Sequence, residues 1–266
     1  MPELAEVEYY RKQWDAGVGR RITRVEIHAP KRLFRGTDTQ ALTATLRGAT
    51  LLGSETRGKQ MVFRFSKGAW LGIHLGMTGD THAEDPDFKP GKHDHLVLYQ
   101  KERALVLTDA RMFGRVRFFH GKGAPDWWSE LPPEVASKEF TLAYLRKLLE
   151  RRQRAPLKGL LLEQKLFPGV GNWMADEILW QTRLHPRTAP ADLSPAKLRE
   201  LWRVARYICR TALKTIGVDW GDPPEGWLLH ERFKSKGYCP RDGLELKRAT
   251  IAGRTTAWCG KCQREG

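Results

Sequence analysis

Pro2 and Glu3, which open the run Met1-Pro2-Glu3-Leu4-Ala5-Glu6-Val7-Glu8, are the residues best placed to do chemistry. Removal of Met1 makes Pro2 the N-terminal residue, with a free secondary amine. Such an amine is less basic than a lysine side chain, so more of it is unprotonated near neutral pH. It can attack a sugar anomeric carbon and leave an iminium without first losing a second proton. Glu3 stands beside it as a candidate acid for the sugar ring oxygen, and Glu6 lies three residues on. Nucleophile and acid are then adjacent, as covalent catalysis requires. The same segment also reads as a proline at the first position of a helix, with acids at its positive end.

Three further constellations carry chemistry. Gly169-Val170-Gly171-Asn172 is a turn between two helical segments. Its glycines let backbone approach a ligand, and the amides of the next helix point outward with positive potential. A phosphate suits it, with Asn172 adding a donor and Lys158, Lys165 and Arg151-Arg152-Gln153-Arg154 adding charge. In the tail, Cys239-x-x-Asp242 and Cys259-x-x-Cys262 have zinc-ribbon spacing, with aspartate where a fourth cysteine is usual. A three-sulfur, one-oxygen site, His230 as fourth ligand, and a hairpin without metal are all open. The segment between carries Lys247, Arg248 and Arg254, the last placed to clamp a phosphate near a hairpin tip. Finally, Lys92-His93-Asp94-His95 puts two histidines on one strand face, which favours a hydrogen-bonded structural role over a metal pair. Asp109-x-Arg111-x-Phe113-Gly114 offers a guanidinium and an aromatic wedge, groups that fill the hole left by an extracted base.

The elements that position these groups follow from periodicity. Leu4, Val7, Tyr10 and Trp14 predict an amphipathic helix over 3–15. Alternating runs between about 20 and 120 predict a sandwich of around eight strands. Gly121–Pro133 reads as a linker. Helical periods follow over 142–149, 156–167 and 172–182, then in a long helix capped by Ser194-Pro195 that stops near Gly217, with Cys209 as a core thiol.

Lysine and arginine number 46 against 31 acids, a net charge of +15, which favours a polyanionic partner. Nucleic acid leads; a membrane is disfavoured because no run of ~18 apolar residues exists. With no signal peptide visible and the cysteines unsuited to a secreted disulfide scaffold, a cytoplasmic or nucleoid setting is expected.

These motifs, with Arg57-Gly58-Lys59, His74-Leu75-Gly76-Met77-Thr78-Gly79 and Gly253-Arg254-Thr255-Thr256, occur in order. The chain thereby resembles the bacterial formamidopyrimidine-DNA glycosylase and endonuclease VIII superfamily. The resemblance implies an α+β multidomain fold. Residues 1–130 would form a catalytic helix plus β-sandwich, 135–220 a helix–two-turns–helix DNA-binding domain, and 228–266 a zinc-finger β-hairpin. It implies a bifunctional glycosylase and abasic-site lyase acting as a monomer on oxidised bases, the formamidopyrimidine/8-oxoguanine type favoured, in damaged double-stranded DNA. Pro2 would form the Schiff base and Glu3 protonate the sugar oxygen, before β- and δ-elimination. Lys59 and Arg254 match phosphate-gripping residues. Met77, Arg111 and Phe113 match void-filling residues. His93, Lys158 and Asn172 are expected DNA contacts. One structural zinc would be held by Cys239, Asp242, Cys259 and Cys262. The sequence departs from the family pattern at Asp242 itself, at Met112, where many relatives carry a cation, and in the short 217–226 link, which lacks a longer Gly/Ser-rich loop. Oxidised pyrimidines, abasic sites alone, or a catalytically silent damaged-DNA binder are the alternatives.

Overall fold

The computed structural model describes residues 1–264, which fall into two compact units. One comprises Met1–Pro2 and Glu6–Leu131, the other Glu3–Ala5 and the chain from Pro132 onward. Helix α1 spans Leu4–Lys12.

Eight strands build the first unit, as the alternating pattern predicts: β1 Arg24–Ile27, β2 Leu51–Arg57, β3 Gln60–Phe65, β4 Ala69–His74, β5 Asp80–Glu84, β6 Asp94–Tyr99, β7 Ala104–Thr108 and β8 Arg115–His120. They form two antiparallel sheets, ordered β1-β6-β7-β5 and β2-β3-β4-β8. Met61, Phe63, Leu71 and Ile73 of one sheet share a core with Leu96, Leu98, Leu105 and Leu107 of the other. Each such burial contributes about 1.5–3 kcal/mol. Trp14 closes this core; its indole N–H is shared between the carbonyls of His82 and Val106 at 3.1 and 3.2 Å.

Two features of this unit depart from the sequence reading. A helix over Thr39–Leu46 (α2) interrupts the strands; Asp38 caps it by accepting from the amides of Gln40 and Ala41, and Leu42 and Leu46 are buried. The expected linker is also structured. Asp126–Ser129 form a helical turn (α3), and Trp128 is buried beneath the Arg57 guanidinium, 5.1 Å from its ring. Trp127 lies over Gly72, where a Cβ would come within 2.5 Å of the indole.

The second unit is helical: α4 Leu142–Glu150, α5 Leu157–Leu162, α6 Asn172–Gln181, α7 Pro195–Lys214, α8 Ile216–Asp219 and α9 Leu229–Arg232, then β9 Lys247–Ile251 and β10 Arg254–Trp258. Ser194 caps α7 by accepting from the Lys197 amide, with Pro195 at the first helical position. Helix α5 stops at Leu162, short of the expected 167. Gln164 takes over: its side chain donates to the carbonyls of Leu162 and Val170 and accepts from the Gly169 amide. That staple shapes the turn leading into α6. The core gathers Leu4, Ala5, Leu145, Leu160, Phe167, Met174, Ile178, Leu201 and Ala205 around Cys209, whose thiol burial pushes well above its usual range. Among the described residues, no helix is long and apolar enough to cross a membrane.

Candidate functional site

Glu3 is buried, and both carboxylate oxygens are occupied. Oε2 accepts from the amides of Gly171 at 2.8 Å and Met174 at 3.2 Å, and Oε1 from that of Trp173 at 2.9 Å. These amides open α6 and have no partner within the helix, so the carboxylate caps it at the positive end of its dipole. The neighbouring amide of Leu4 donates to the Gly169 carbonyl at 3.0 Å. An oxygen pair accepting three N–H groups suits the charged form of a carboxylate. Pro2, the residue before it, is half-buried, and its nitrogen becomes an amine once Met1, which is exposed, is removed.

The same helix start holds Asn172. Its side-chain amide donates to the Thr255 carbonyl at 2.9 Å, leaving a second amide hydrogen for a ligand. Lys158, expected at the surface as a DNA contact, is instead fully buried. Its ammonium bonds the Asn172 carbonyl at 2.9 Å and Asp176 at 2.5 Å. Asp176 also accepts from the Arg232 guanidinium at 2.7 and 3.0 Å and from the Ala257 amide at 3.1 Å. A lone buried ammonium would be costly, so Lys158 is kept by this network and braces the turn from beneath. Local pattern does not reveal this burial, because Asp176 and Arg232 lie on other helices.

Arg254 begins β10 beside the two-residue tip Ala252-Gly253, whose φ angles of +51° and +72° are those of a tight hairpin. The guanidinium-bearing residue is exposed, and the bond from Asn172 to Thr255 ties its strand to the α6 turn. Below the hairpin, the ligand atoms of Cys239, Asp242, Cys259 and Cys262 all lie within 4.8 Å of one another. Asp242 Oδ2 is 3.1 Å from Cys262 Sγ and 3.2 Å from Cys259 Sγ, and Cys239 Sγ is 3.9 Å from Cys262 Sγ. A tetrahedral zinc with sulfur at about 2.3 Å sets ligand sulfurs about 3.8 Å apart, so the set fits that ion. His230 is excluded as fourth ligand: its Nε2 faces the carbonyls of Pro223 and Pro224 at 3.0 and 3.2 Å. Burial and the adjoining Asp242 push the Cys262 thiol up to about 12.

In the first unit, Lys59 lies in the two-residue turn between β2 and β3, after Gly58 with φ +58°, and is largely buried. Met77 (39% exposed) and Phe113 (45%) project from two neighbouring loops, and the Arg111 guanidinium lies 4.8 Å from the Phe113 ring. His93 is exposed in the turn before β6, whereas His95 is buried with Nε2 3.0 Å from the Asp109 carbonyl oxygen, the structural role expected of it. A cavity of about 250 Å³, missed from sequence, is lined by Arg32, Arg35, His74, Phe113, Arg115 and Arg117. Burial first, then Lys59 and Arg117, lower the His74 pKa, and burial, then Arg115, lowers that of Arg117. Such crowding of cations signals an anionic guest. The sequence signal was Lys31-Arg32-Leu33-Phe34-Arg35 together with Arg115 and Arg117, two apart on one face of β8.

Residues 1–116 match the family model of the formamidopyrimidine-DNA glycosylase N-terminal domain, and residues 131–220 that of the formamidopyrimidine-DNA glycosylase H2TH domain. Formamidopyrimidine-DNA glycosylase of Symbiobacterium thermophilum is 34% identical over 275 residues, covering 99% of this chain and 89% of the relative. That of Thermus thermophilus is 33% identical over 282 residues, covering 100% of both. Among solved structures, the Lactococcus lactis enzyme bound non-covalently to DNA containing an abasic site aligns with a TM-score of 0.88 at 28% identity, over 99% of this chain and 100% of that one. The same enzyme with DNA containing a formamidopyrimidine lesion aligns equally well, with a TM-score of 0.88 at 28% identity and the same coverage.

Proposed function

Because the chain belongs to the formamidopyrimidine-DNA glycosylase family, and so is a DNA glycosylase of base excision repair, we propose that it excises formamidopyrimidine and 8-oxoguanine lesions and then cuts the strand at the abasic site. The observation that carries the chemistry is the seat of Glu3, a carboxylate fixed by three amides one residue from the Pro2 nitrogen.

The Pro2 amine forms a bond to C1′ of the damaged nucleotide as the C1′–base bond breaks, and the departing electron pair leaves with the base nitrogen. Glu3 takes the proton released by the attacking amine and delivers it to the sugar ring oxygen, whose bond to C1′ opens to leave an iminium. Loss of a C2′ proton then expels the 3′ phosphate, and a second elimination expels the 5′ phosphate. Lys59, Asn172 and Arg254 hold phosphates of the damaged strand, while His93 contacts the backbone. Met77, Arg111 and Phe113 fill the gap left by the extruded nucleotide. Cys239, Asp242, Cys259 and Cys262 would hold one zinc, whose contribution is structural: it fixes the base of the Arg254 hairpin. The enzyme acts as a monomer.

Borohydride reduction tests this reading. Protein whose N-terminal mass confirms loss of Met1 is expected to form a covalent adduct with duplexes carrying 8-oxoguanine, a formamidopyrimidine or an abasic site, more readily than with thymine glycol. Absence of any adduct from Met1-free protein that still binds the duplex would establish a silent damage binder instead.

A further inference from the structure

The two loops that present Met77 and Arg111/Phe113 are interlocked through one buried carboxylate. Asp109, 1% exposed, sits at the end of β7. Its Oδ1 accepts from the Thr78 hydroxyl at 3.0 Å and the Arg111 amide at 3.2 Å, and its Oδ2 from the Gly114 amide at 2.7 Å. Thr78 belongs to the loop after β4; Arg111 and Gly114 bracket the other loop. Steric contact tightens the pairing. A Cβ on Gly76, which has φ +65°, would lie 2.4 Å from the Phe113 carbonyl carbon, and one on Gly114 would lie 2.9 Å from Asp109 Oδ2. Behind, His95 Nε2 meets the Asp109 carbonyl, and His95 Nδ1 lies 3.4 Å from His28 Nδ1, so the residue is held from both sides.

Met77 and Phe113 remain partly exposed on backbone that these contacts hold in place. We propose that Asp109 is a positioning residue that locks Met77, Arg111 and Phe113 into one preformed wedge, with Thr78 as the link between the loops. The inference rests on the void-filling reading of these three side chains. Preorganisation matters because a misplacement of about 1 Å at such a site costs roughly 100-fold in rate.

The test uses Asp109→Asn, Thr78→Val and Thr78→Ser in the full chain, with two readouts. One is the fluorescence of 2-aminopurine opposite a tetrahydrofuran abasic analogue in a duplex, which reports wedge entry without chemistry. The other is borohydride trapping on a single-stranded abasic oligonucleotide, which needs Pro2 but no wedge. Asp109→Asn and Thr78→Val are expected to lose the fluorescence change and to slow lesion excision from duplex by about 10- to 100-fold. Single-strand trapping should stay within about twofold, and Thr78→Ser should restore both duplex readouts. Thr78 is exposed, so its valine variant carries the test even if Asp109→Asn fails to fold. Normal fluorescence and excision in Thr78→Val would overturn the inference, as would a parallel fall in single-strand trapping. A wild-type protein that binds the duplex with no fluorescence change would overturn the void-filling reading itself.

Discussion

Glu3 occupies the volume that a side chain at Gly171 would need: a Cβ there would lie 2.3 Å from Glu3 Cδ and 2.5 Å from its Oε1. Gly171 has φ −125° and ψ −155°, so its backbone does not itself demand glycine; the neighbouring carboxylate does. Gly171→Ala is therefore expected to expel Glu3 from its seat, lowering excision of a damaged base by at least about 100-fold. Duplex affinity should change by less than about threefold, as phosphate contacts made elsewhere dominate binding. Single-turnover excision alongside a binding titration checks this, and an active Gly171→Ala protein would contradict it.

Glu3→Gln replaces one acceptor oxygen with a donor facing the α6 amides. At least one buried N–H loses its partner, at about 1–3 kcal/mol, which a thermal melt will register. Base excision should collapse, while cleavage of a preformed abasic site survives better, since the ring there is already free to open. Equal losses on the two substrates would refute that division.

Pro2→Gly, or any extension retained before Pro2, should abolish borohydride trapping and leave duplex binding nearly intact. On the proposed mechanism the amine makes the bond, while basic side chains elsewhere in the chain supply the affinity. Undiminished trapping by an extended protein would remove Pro2 from the mechanism.

Purified protein should contain about one zinc per chain. Asp242→Cys should keep or tighten the metal, and Asp242→Ala should weaken it and loosen the Arg254 hairpin. The latter variant should bind DNA less well, with a shallower salt dependence, as a phosphate contact disappears. Carefully prepared zinc-free protein that cleaves abasic DNA normally would refute the metal's role.

Burial pushes the Glu177 carboxyl up to about 7 from 4.5, although it accepts from the Leu229 amide and the Gln181 side chain. In the unfolded chain it ionises earlier, so its contribution to stability falls between about pH 4.5 and 7 and stays low above that. Glu177→Gln should flatten this part of the stability profile and match or exceed the parent protein at pH ~8. Melting curves from acid to mildly alkaline pH decide it; identical slopes for both proteins would refute the assignment.

Local patterns made much of this molecule legible. Alternation over Met61–Phe65 and Leu71–Leu75 set the sandwich, Ser194-Pro195 the start of α7, and cysteine spacing the finger. What escaped were relations between distant residues. Helix α2 is only two turns long, too short for its i,i+4 pair Leu42 and Leu46 to outweigh the strands around it. Lys158 read as a surface cation because its anion lies on α6, and the Gly171 amide that seats Glu3 lies 168 residues further along the chain. Trp127 and Trp128 sit among turn residues that suggest a linker, yet each finds a partner on the sheet.

The buried cluster beneath the α6 turn has one more consequence. Lys158 and Arg232 bring two positive charges against the single negative charge of Asp176, and the charge of Glu3 also acts on the Lys158 ammonium. Two cations and two carboxylates thus balance one another in charge within this buried cluster. Deleting Lys158 would strand a negative charge there, and in a dry site the cheapest remedy is uptake of a proton. Lys158→Met should then behave less like a lost contact than like a displaced titration, with the acid side of its activity profile moved toward neutrality. A side chain that never meets the solvent would in this way help set the pH range over which repair proceeds.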